Sequence, residues 1–287
     1  MLDFPAFEPE LHERLLLGQP EFEAVLDSWL EAMPSRPYDP EQFAYGLEYP
    51  WARPRRSYHL RDADVTAFDD LTEPAREELV VGFAQGHHPI LAIGSNASPE
   101  ALTRKFAHFE DPRDREILVL AGDLHDFDVG PAATVAIYGA MPATLFESPG
   151  TAVRAAVLYA TEAQATQLTW SELSYRFGRL DGIRFDVEEA RVDLTSVFVY
   201  VNRFGHFAPG EESLALAAIP ARGRTATPRT QRELVDAVAA RMFGDGHGAE
   251  TVVREVFERP AGLLPAIREH VRSQGRPFAC DRWVPYD

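Results

Sequence analysis

This 287-residue sequence is poor in cysteine and in lysine, holding one of each, Cys280 and Lys105. A single cysteine excludes an intramolecular disulfide, and no paired cysteine spacing points to structural zinc, so a reducing, cytoplasmic setting is expected. Positive charge is scarce too: 28 Lys and Arg stand against 45 Asp and Glu, a net charge of −17. That field repels polyphosphates and anionic lipid surfaces, and nucleic acid is not an expected partner. Every Lys or Arg position other than 105 is arginine, a skew read as a trace of GC-rich coding without functional weight. Long apolar runs are also missing. No stretch approaches the roughly 18 apolar residues of a membrane span. The opening MLDFPAFEPELHERL lacks the basic and then apolar segments of a secretory leader. A soluble intracellular protein with no membrane partner is expected.

What is present is apolar patterning, with hydrophobic side chains at 45%, enough for a sizeable core. Phe22, Val25, Leu26, Trp29, Leu30 and Met33 recur at three- and four-residue steps and predict a helix. Pro34 to Pro54 interleaves prolines with Tyr38, Phe43, Tyr45, Tyr49 and Trp51, which predicts an ordered wrapping segment rather than regular ladders. Thr72 to Gly86 has the cap, acidic first turn and terminal glycine of a second helix. Pro89 to Ile93 is an apolar run that stops at Gly94-Ser95-Asn96, after which Ser98-Pro99-Glu100 opens a helix. Runs at 116–120, 135–138, 153–159, 185–192 and 197–201 predict further strands, hence a largely antiparallel sheet or barrel. Thr227-Pro228 predicts the start of a helix ending at Gly244, and a last helix is expected around Leu263 to Val271.

The segments ILAIGSNASPEAL, LHDFDV and GAMPATLFESPGTAVRAAVLYATEAQATQLTWSELSY follow one another between Pro89 and Asn202. In content and order they resemble the gamma-glutamylcyclotransferase-like proteins. The resemblance implies an α+β fold, a mixed, mainly antiparallel, β-barrel-like core over 87–204. A helical and proline-rich N-terminal extension (1–86) and a helical C-terminal extension (205–287) flank that core. It also implies a substrate-holding turn at Ala92, Ile93, Gly94, Ser95 and Asn96, with Glu172 as general acid/base. In such chemistry the substrate's α-amine attacks its own γ-carbonyl, releasing 5-oxoproline and a free amine. No metal or organic cofactor is implied. Successive backbone amides at a strand end before a helix form an anion-holding concavity, which gives the turn a physical reason. A carboxylate serves best as proton shuttle when burial raises its pKa.

Three positions depart from the family pattern. Ile93 stands where a tyrosine is usual, Phe198 where a later tyrosine often meets the substrate, and Thr169 where aspartate is usual. Two readings of the function therefore stand beside the leading one: a catalytically silent small-molecule or protein binding module, and an enzyme acting on another acyl amide. The extensions are expected to offer surfaces for a protein partner or self-association.

Other groupings read as structural. Asp123, His125, Asp126 and Asp128 have metal-ligand chemistry but sit in a strand-and-turn pattern. His87-His88 reads as loop. Ser95 lacks a nucleophile elbow. Gly244 to Gly248 reads as a helix end. The structural alternative to the acid/base role of Glu172 is a helical ion pair with Arg176, which would lower its pKa. Arg53, Arg55 and Arg56 with Trp51 and Tyr58 form a basic, aromatic patch favouring surface pairing.

Overall fold

The computed structural model describes residues 2–172 and 174–287, with all their side chains but those of Glu211 and Leu263. Its centre is a hairpin of two long strands, β4 (Glu116–Pro131) and β5 (Ala143–Ala160). A first hairpin, β1 (Tyr58–Arg61) with β2 (Asp64–Ala67), extends the β4 edge. Beyond β5 come β3 (His88–Ala92), β8 (Ser196–Asn202) and β6 (Tyr175–Asp181). All these pairings are antiparallel except β3 with β8. Short strands decorate the sheet: β7 (Phe185–Val187) on β4, β11 (Ala221–Arg222) on β5 and β14 (Trp283–Pro285) on β6. Two small pairs complete the set, β9 (His206–Phe207) with β13 (Gly275–Arg276) and β10 (Leu214–Leu216) with β12 (Thr227–Arg229).

The architecture is mixed α+β around a large, mainly antiparallel sheet. Strand order runs from β14 to β2, and no pairing joins those two ends among the described residues, so barrel closure is not part of what is seen.

Both faces of this sheet are covered, and alternation along the strands assigns each residue. Leu91, Leu118, Leu120, Val157 and Val199 face one core; Ile90, Ile117, Val119, Leu158 and Phe198 face the other. Two-sided burial explains why these strands read as nearly continuous apolar runs. The second core is closed by α5 (Pro99–Phe106) and α6 (Glu162–Ser171) through Leu102, Phe106, Ala165 and Leu168. The first is closed from the extensions. Phe22 and Leu30 of α2 (Gln19–Glu31), Val80 and Phe83 of α4 (Glu73–Ala84), and apolar faces of α7 (Gln231–Phe243), α8 (Ala249–Glu258) and α9 (Pro260–Arg272) lie there. Two shorter helices, α1 (Pro9–Leu15) and α3 (Pro40–Leu47), lead in. The extensions thus also supply strands, β1, β2, β11 and β14, to the sheet. Among the described residues no helix is long and apolar enough to cross a membrane.

Several expected boundaries move. Residues 135–138 form a turn in place of a strand: Ala136 N–H donates to Ala140 O at 2.8 Å, and Gly139 takes φ 86°. Their carbonyls are met by arginine, Val135 O by Arg268 and Ile137 O by Arg36, so apolar character here reflects burial without a ladder. The strand expected over 185–192 ends at Val187, before Glu188 and Glu189 turn to Arg56. Thr227–Arg229 is strand β12; α7 opens three residues later, where Thr230 and Glu233 form a reciprocal capping box. Ser148-Pro149-Gly150 makes a bulge opposite Asp126, whose Oδ1 accepts from Gly150 N–H at 3.0 Å.

Candidate active site

The apolar run of β3 delivers its chain to a short 3-10 turn, Ser95–Ala97, and then directly to α5. Ala97 N–H closes on Gly94 O at 3.2 Å and Ser98 N–H on Ser95 O at 2.9 Å. Gly94 is required here, since a Cβ would lie 2.4 Å from the Tyr49 hydroxyl. That hydroxyl accepts from Ala143 N–H at 3.0 Å. Burial pushes the Tyr49 phenol up to about 12, while the backbone amides of Ala143 and Ser95 favour its phenolate. The concavity at the strand end is therefore already occupied by a phenolic oxygen facing backbone amides.

Opposite stands Glu172. Helix α6 is fixed at its start by a Thr161–Gln164 capping box, and Gln164 Nε2 also bonds Asp114 O and Glu116 O, each at 2.9 Å. The helix ends at Ser171, which puts Glu172 at its C-cap with φ −116° rather than on a helical face. The alternative Glu172–Arg176 pair does not form: the chain has left the helix, and Arg176 lies over the Trp283 ring at 4.9 Å. The partner is Lys105 of α5, 3.8 Å from Oε1, and the two side chains are only 16% and 18% exposed. Asn96 Nδ2 donates to the same oxygen at 3.0 Å.

Lys105 organises this wall. Its Nζ donates to Asn96 Oδ1 at 2.7 Å and to Ser171 Oγ at 2.6 Å. An ammonium has only donors, so it holds the Asn96 oxygen and turns the amide NH2 towards Glu172. Burial raises the Glu172 pKa; the Lys105 charge and the hydrogen bond from Asn96 pull the other way. The negative end of the α6 dipole adds to the upward push. Burial likewise lowers the pKa of Lys105, with Glu172 opposing. In each partner burial thus disfavours the charged form, and the other's charge opposes that shift.

Between these walls lies a cavity of about 30 Å³. Ala92, Ile93, Gly94, Ser95, Asn96 and Glu172 all line it, together with Tyr49, Leu91, Ala143, Tyr175 and Tyr200. Tyr175 hydroxyl donates to Ala143 O at 2.8 Å, so the Ala143 peptide is gripped by a tyrosine on each side. Thr169, in the usual aspartate position, returns its hydroxyl to Ala165 O at 2.7 Å and pairs with Tyr200 OH at 2.8 Å.

Phe198, expected at the substrate, is not at this cavity. It is fully buried among Phe4, Phe177 and His88. The parallel register sets Phe198 level with Ile90, two residues short of the end of β3, and Tyr200 two residues on reaches the site on the same face. Sequence reasoning missed Lys105, Tyr49, Tyr175 and Tyr200. The lone lysine was the one available signal; nothing local marks the tyrosines, which arrive from the N-terminal extension, β6 and β8.

The remaining candidates are engaged elsewhere. Asp123 pairs with Arg154 and Arg222, His125 with Asp186, and Asp128 with Arg224. His87 packs on Phe83 and His88 on Phe198. Ser95 Oγ has no base hydrogen-bonded to it among the described residues, and Gly244 and Gly248 cap α7 and α8. Arg56 pairs with Asp69, Glu188 and Glu189, Tyr58 donates to Ala97 O at 3.1 Å, and Arg53 donates to Ile93 O at 3.1 Å. Comparisons of the chain with protein-family models, curated proteins and solved structures returned no match.

Proposed function

We propose that the chain is a gamma-glutamylcyclotransferase-like enzyme that cyclises a gamma-glutamyl amide to 5-oxoproline and releases the amine. The carrying observation is that Glu172, its pKa raised by burial, lines one cavity with the backbone of Ile93 to Asn96. In this reading the substrate's γ-carbonyl oxygen takes the place of the Tyr49 hydroxyl before the amides of Ser95 and Ala143. The α-amine nitrogen bonds to the γ-carbon, Glu172 accepts the proton that nitrogen loses, and the same proton passes to the departing nitrogen as the old C–N bond breaks. Nucleophile and electrophile belong to one molecule, so holding the folded conformer supplies much of the acceleration. Lys105 and Asn96 keep Glu172 aimed.

A volume of about 30 Å³ is the share of roughly one water. Entry of a glutamyl head accordingly requires the Tyr49 segment to move outward. That same observation favours the second reading, a catalytically silent binding module in which Tyr49 keeps the site filled. A panel of gamma-glutamyl amides assayed for 5-oxoproline separates the two. Glu172→Gln should lower the rate by about 10²- to 10⁴-fold, the usual worth of a positioned acid/base. Product formation that survives the substitution removes Glu172 from the mechanism, and no product from any amide leaves the binding reading.

A further inference from the structure

The chain that fills the candidate site crosses from α3 to β1. It passes Tyr49, whose hydroxyl accepts from Ala143 N–H at 3.0 Å, and then Trp51, whose φ is 64°. That value lies in the left-handed region, where a side chain crowds the backbone and a bulky residue is an outlier. Such a backbone persists only where neighbouring contacts hold it. For Trp51 those contacts are local. Its ring stacks on that of Tyr45, with centroids 4.6 Å apart and 20° between planes, and its Nε1–H donates to Tyr45 O at 2.9 Å. Tyr45 belongs to α3 and is 37% exposed; Trp51 is half-buried.

On either side of this latch the chain is fixed to the core. Gly46 of α3 lies so close to Tyr138 that a Cβ would be 2.4 Å from its carbonyl oxygen, and Arg53 donates to Ile93 O at 3.1 Å. Tyr49 and Trp51 lie between those points, their rings edge to face at 5.4 Å. Both also approach the ring of Tyr138, at 6.2 and 5.8 Å. The stack and hydrogen bond that hold Trp51 join it to a residue six positions back, at the surface. They can be broken without touching the ladder of β4 and β5.

We propose that residues 49–53 form an autoinhibitory strap latched by Trp51 on Tyr45, and that substrate reaches the amides of Ser95 and Ala143 only in molecules whose latch is open. The proposal rests on the cyclotransferase reading and adds the regulation of that site. The left-handed backbone of Trp51 favours release, and the stack on Tyr45 opposes it. Apparent affinity scales with the open fraction, so loosening the strap raises activity. Loosening a merely structural support does the reverse.

The test measures 5-oxoproline from gamma-glutamyl-methylamide and from gamma-glutamyl-alanine with the full chain and with Tyr45→Ala, Trp51→Ala and Trp51→Gly. Folding of each variant is checked by circular dichroism. Loss of the stack should raise kcat/KM about 2- to 10-fold, the worth of an aromatic pair, through a lower KM at unchanged kcat. Trp51→Gly should gain less than Trp51→Ala, since glycine meets a φ of 64° without strain and leaves the strap closed more often. Trp51→Phe keeps a stacking ring and loses the Nε1–H bond; it should give a smaller gain, and it stands in where an alanine variant does not fold. Amide exchange followed by NMR without substrate reads the strap independently. The N–H groups of Ser95 and Ala143 should exchange faster in both alanine variants, with those of Leu120 and Val157 unchanged. A kcat/KM that falls or stays level in both alanine variants overturns the strap and leaves the cyclotransferase reading in place. If no form of the chain yields 5-oxoproline, that reading fails and exchange decides the strap. Faster exchange at Ser95 and Ala143 upholds it, and unchanged exchange overturns it.

Discussion

Asp128 and Glu172 are both withdrawn from solvent, and their surroundings differ in one decisive respect. Asp128, fully buried on β4, is saturated: Oδ1 accepts from Arg224 Nη2 and Val129 N–H, each at 2.8 Å, and Oδ2 from Arg224 Nε at 2.8 Å. The Glu172 carboxylate has, among the described residues, one hydrogen bond, from Asn96 to Oε1, with an ammonium 3.8 Å away, while Oε2 has no hydrogen-bond partner among them. The first arrangement leaves nothing to exchange and joins β4 to the loop before β12. The second leaves Oε2 open to a hydrogen bond from whatever enters the cavity that Glu172 lines.

The largest expected effect concerns the saturated site. Asp128→Ala leaves the half-buried Arg224 without its counter-charge and Val129 N–H without its acceptor, and about 3 kcal/mol of unfolding free energy should be lost. Glu172→Gln keeps the shape and the Asn96 contact, and should cost under about 1.5 kcal/mol. Urea unfolding of the two variants at one pH checks both. A costly Glu172→Gln beside a mild Asp128→Ala would reverse the assignment of structural and functional roles.

A smaller effect sharpens the cavity side. Tyr49→Phe removes the oxygen that Ala143 N–H meets at 3.0 Å. A buried amide left unpaired costs about 1–3 kcal/mol. The space beside it, about 30 Å³, suits one water, so the loss should fall at the low end, near 1 kcal/mol. A thermal melt shows the loss, and gamma-glutamyl amide titration shows whether the vacated amide now binds more tightly, as displacement of the phenol by substrate oxygen requires. A loss of several kcal/mol would make Tyr49 a structural member like Asp128.

How much of this was legible follows from where each signal lies. The turn from Ala92 to Asn96 and Glu172 are local in sequence, with strand, glycine and helix cap adjacent, and they do meet at one cavity. Phe198 was misplaced by two residues because strand register between β3 and β8 is set by packing on both faces, which a one-dimensional pattern does not carry. Residues 135–138 read as strand because burial without pairing leaves the same apolar imprint. Lys105 was visible but was read as composition, and only the folded chain, by carrying α5 back against α6, gives it Asn96, Ser171 and Glu172 as neighbours.

Lys105 also supplies the finest test of the comparison, since its charge is what moderates the effect of burial on Glu172. Its ammonium lowers the Glu172 pKa against the larger upward push of desolvation. Lys105→Met removes that opposition, so the Glu172 pKa rises further and the acid limb of the kcat/KM profile should move to higher pH. The sign follows directly: in the proposed mechanism the ionised carboxylate is the base, and losing a nearby positive charge disfavours it. On the acid side the rate should fall about tenfold, equivalent to about 1.4 kcal/mol, with the alkaline plateau changing less. Lys105→Arg should hold the limb nearer its original position while disturbing Asn96, because a planar fork does not fit the site of a point charge. As Lys105 is the single lysine, reductive 13C-methylation followed by NMR titration reads its ionisation in place, with Glu172→Gln as control. Loss of Glu172 should lower the Lys105 pKa further, since Glu172 raises it. A pH profile that stays fixed in Lys105→Met would show that Lys105 only packs against Glu172, and would leave Asn96 alone to hold the carboxylate.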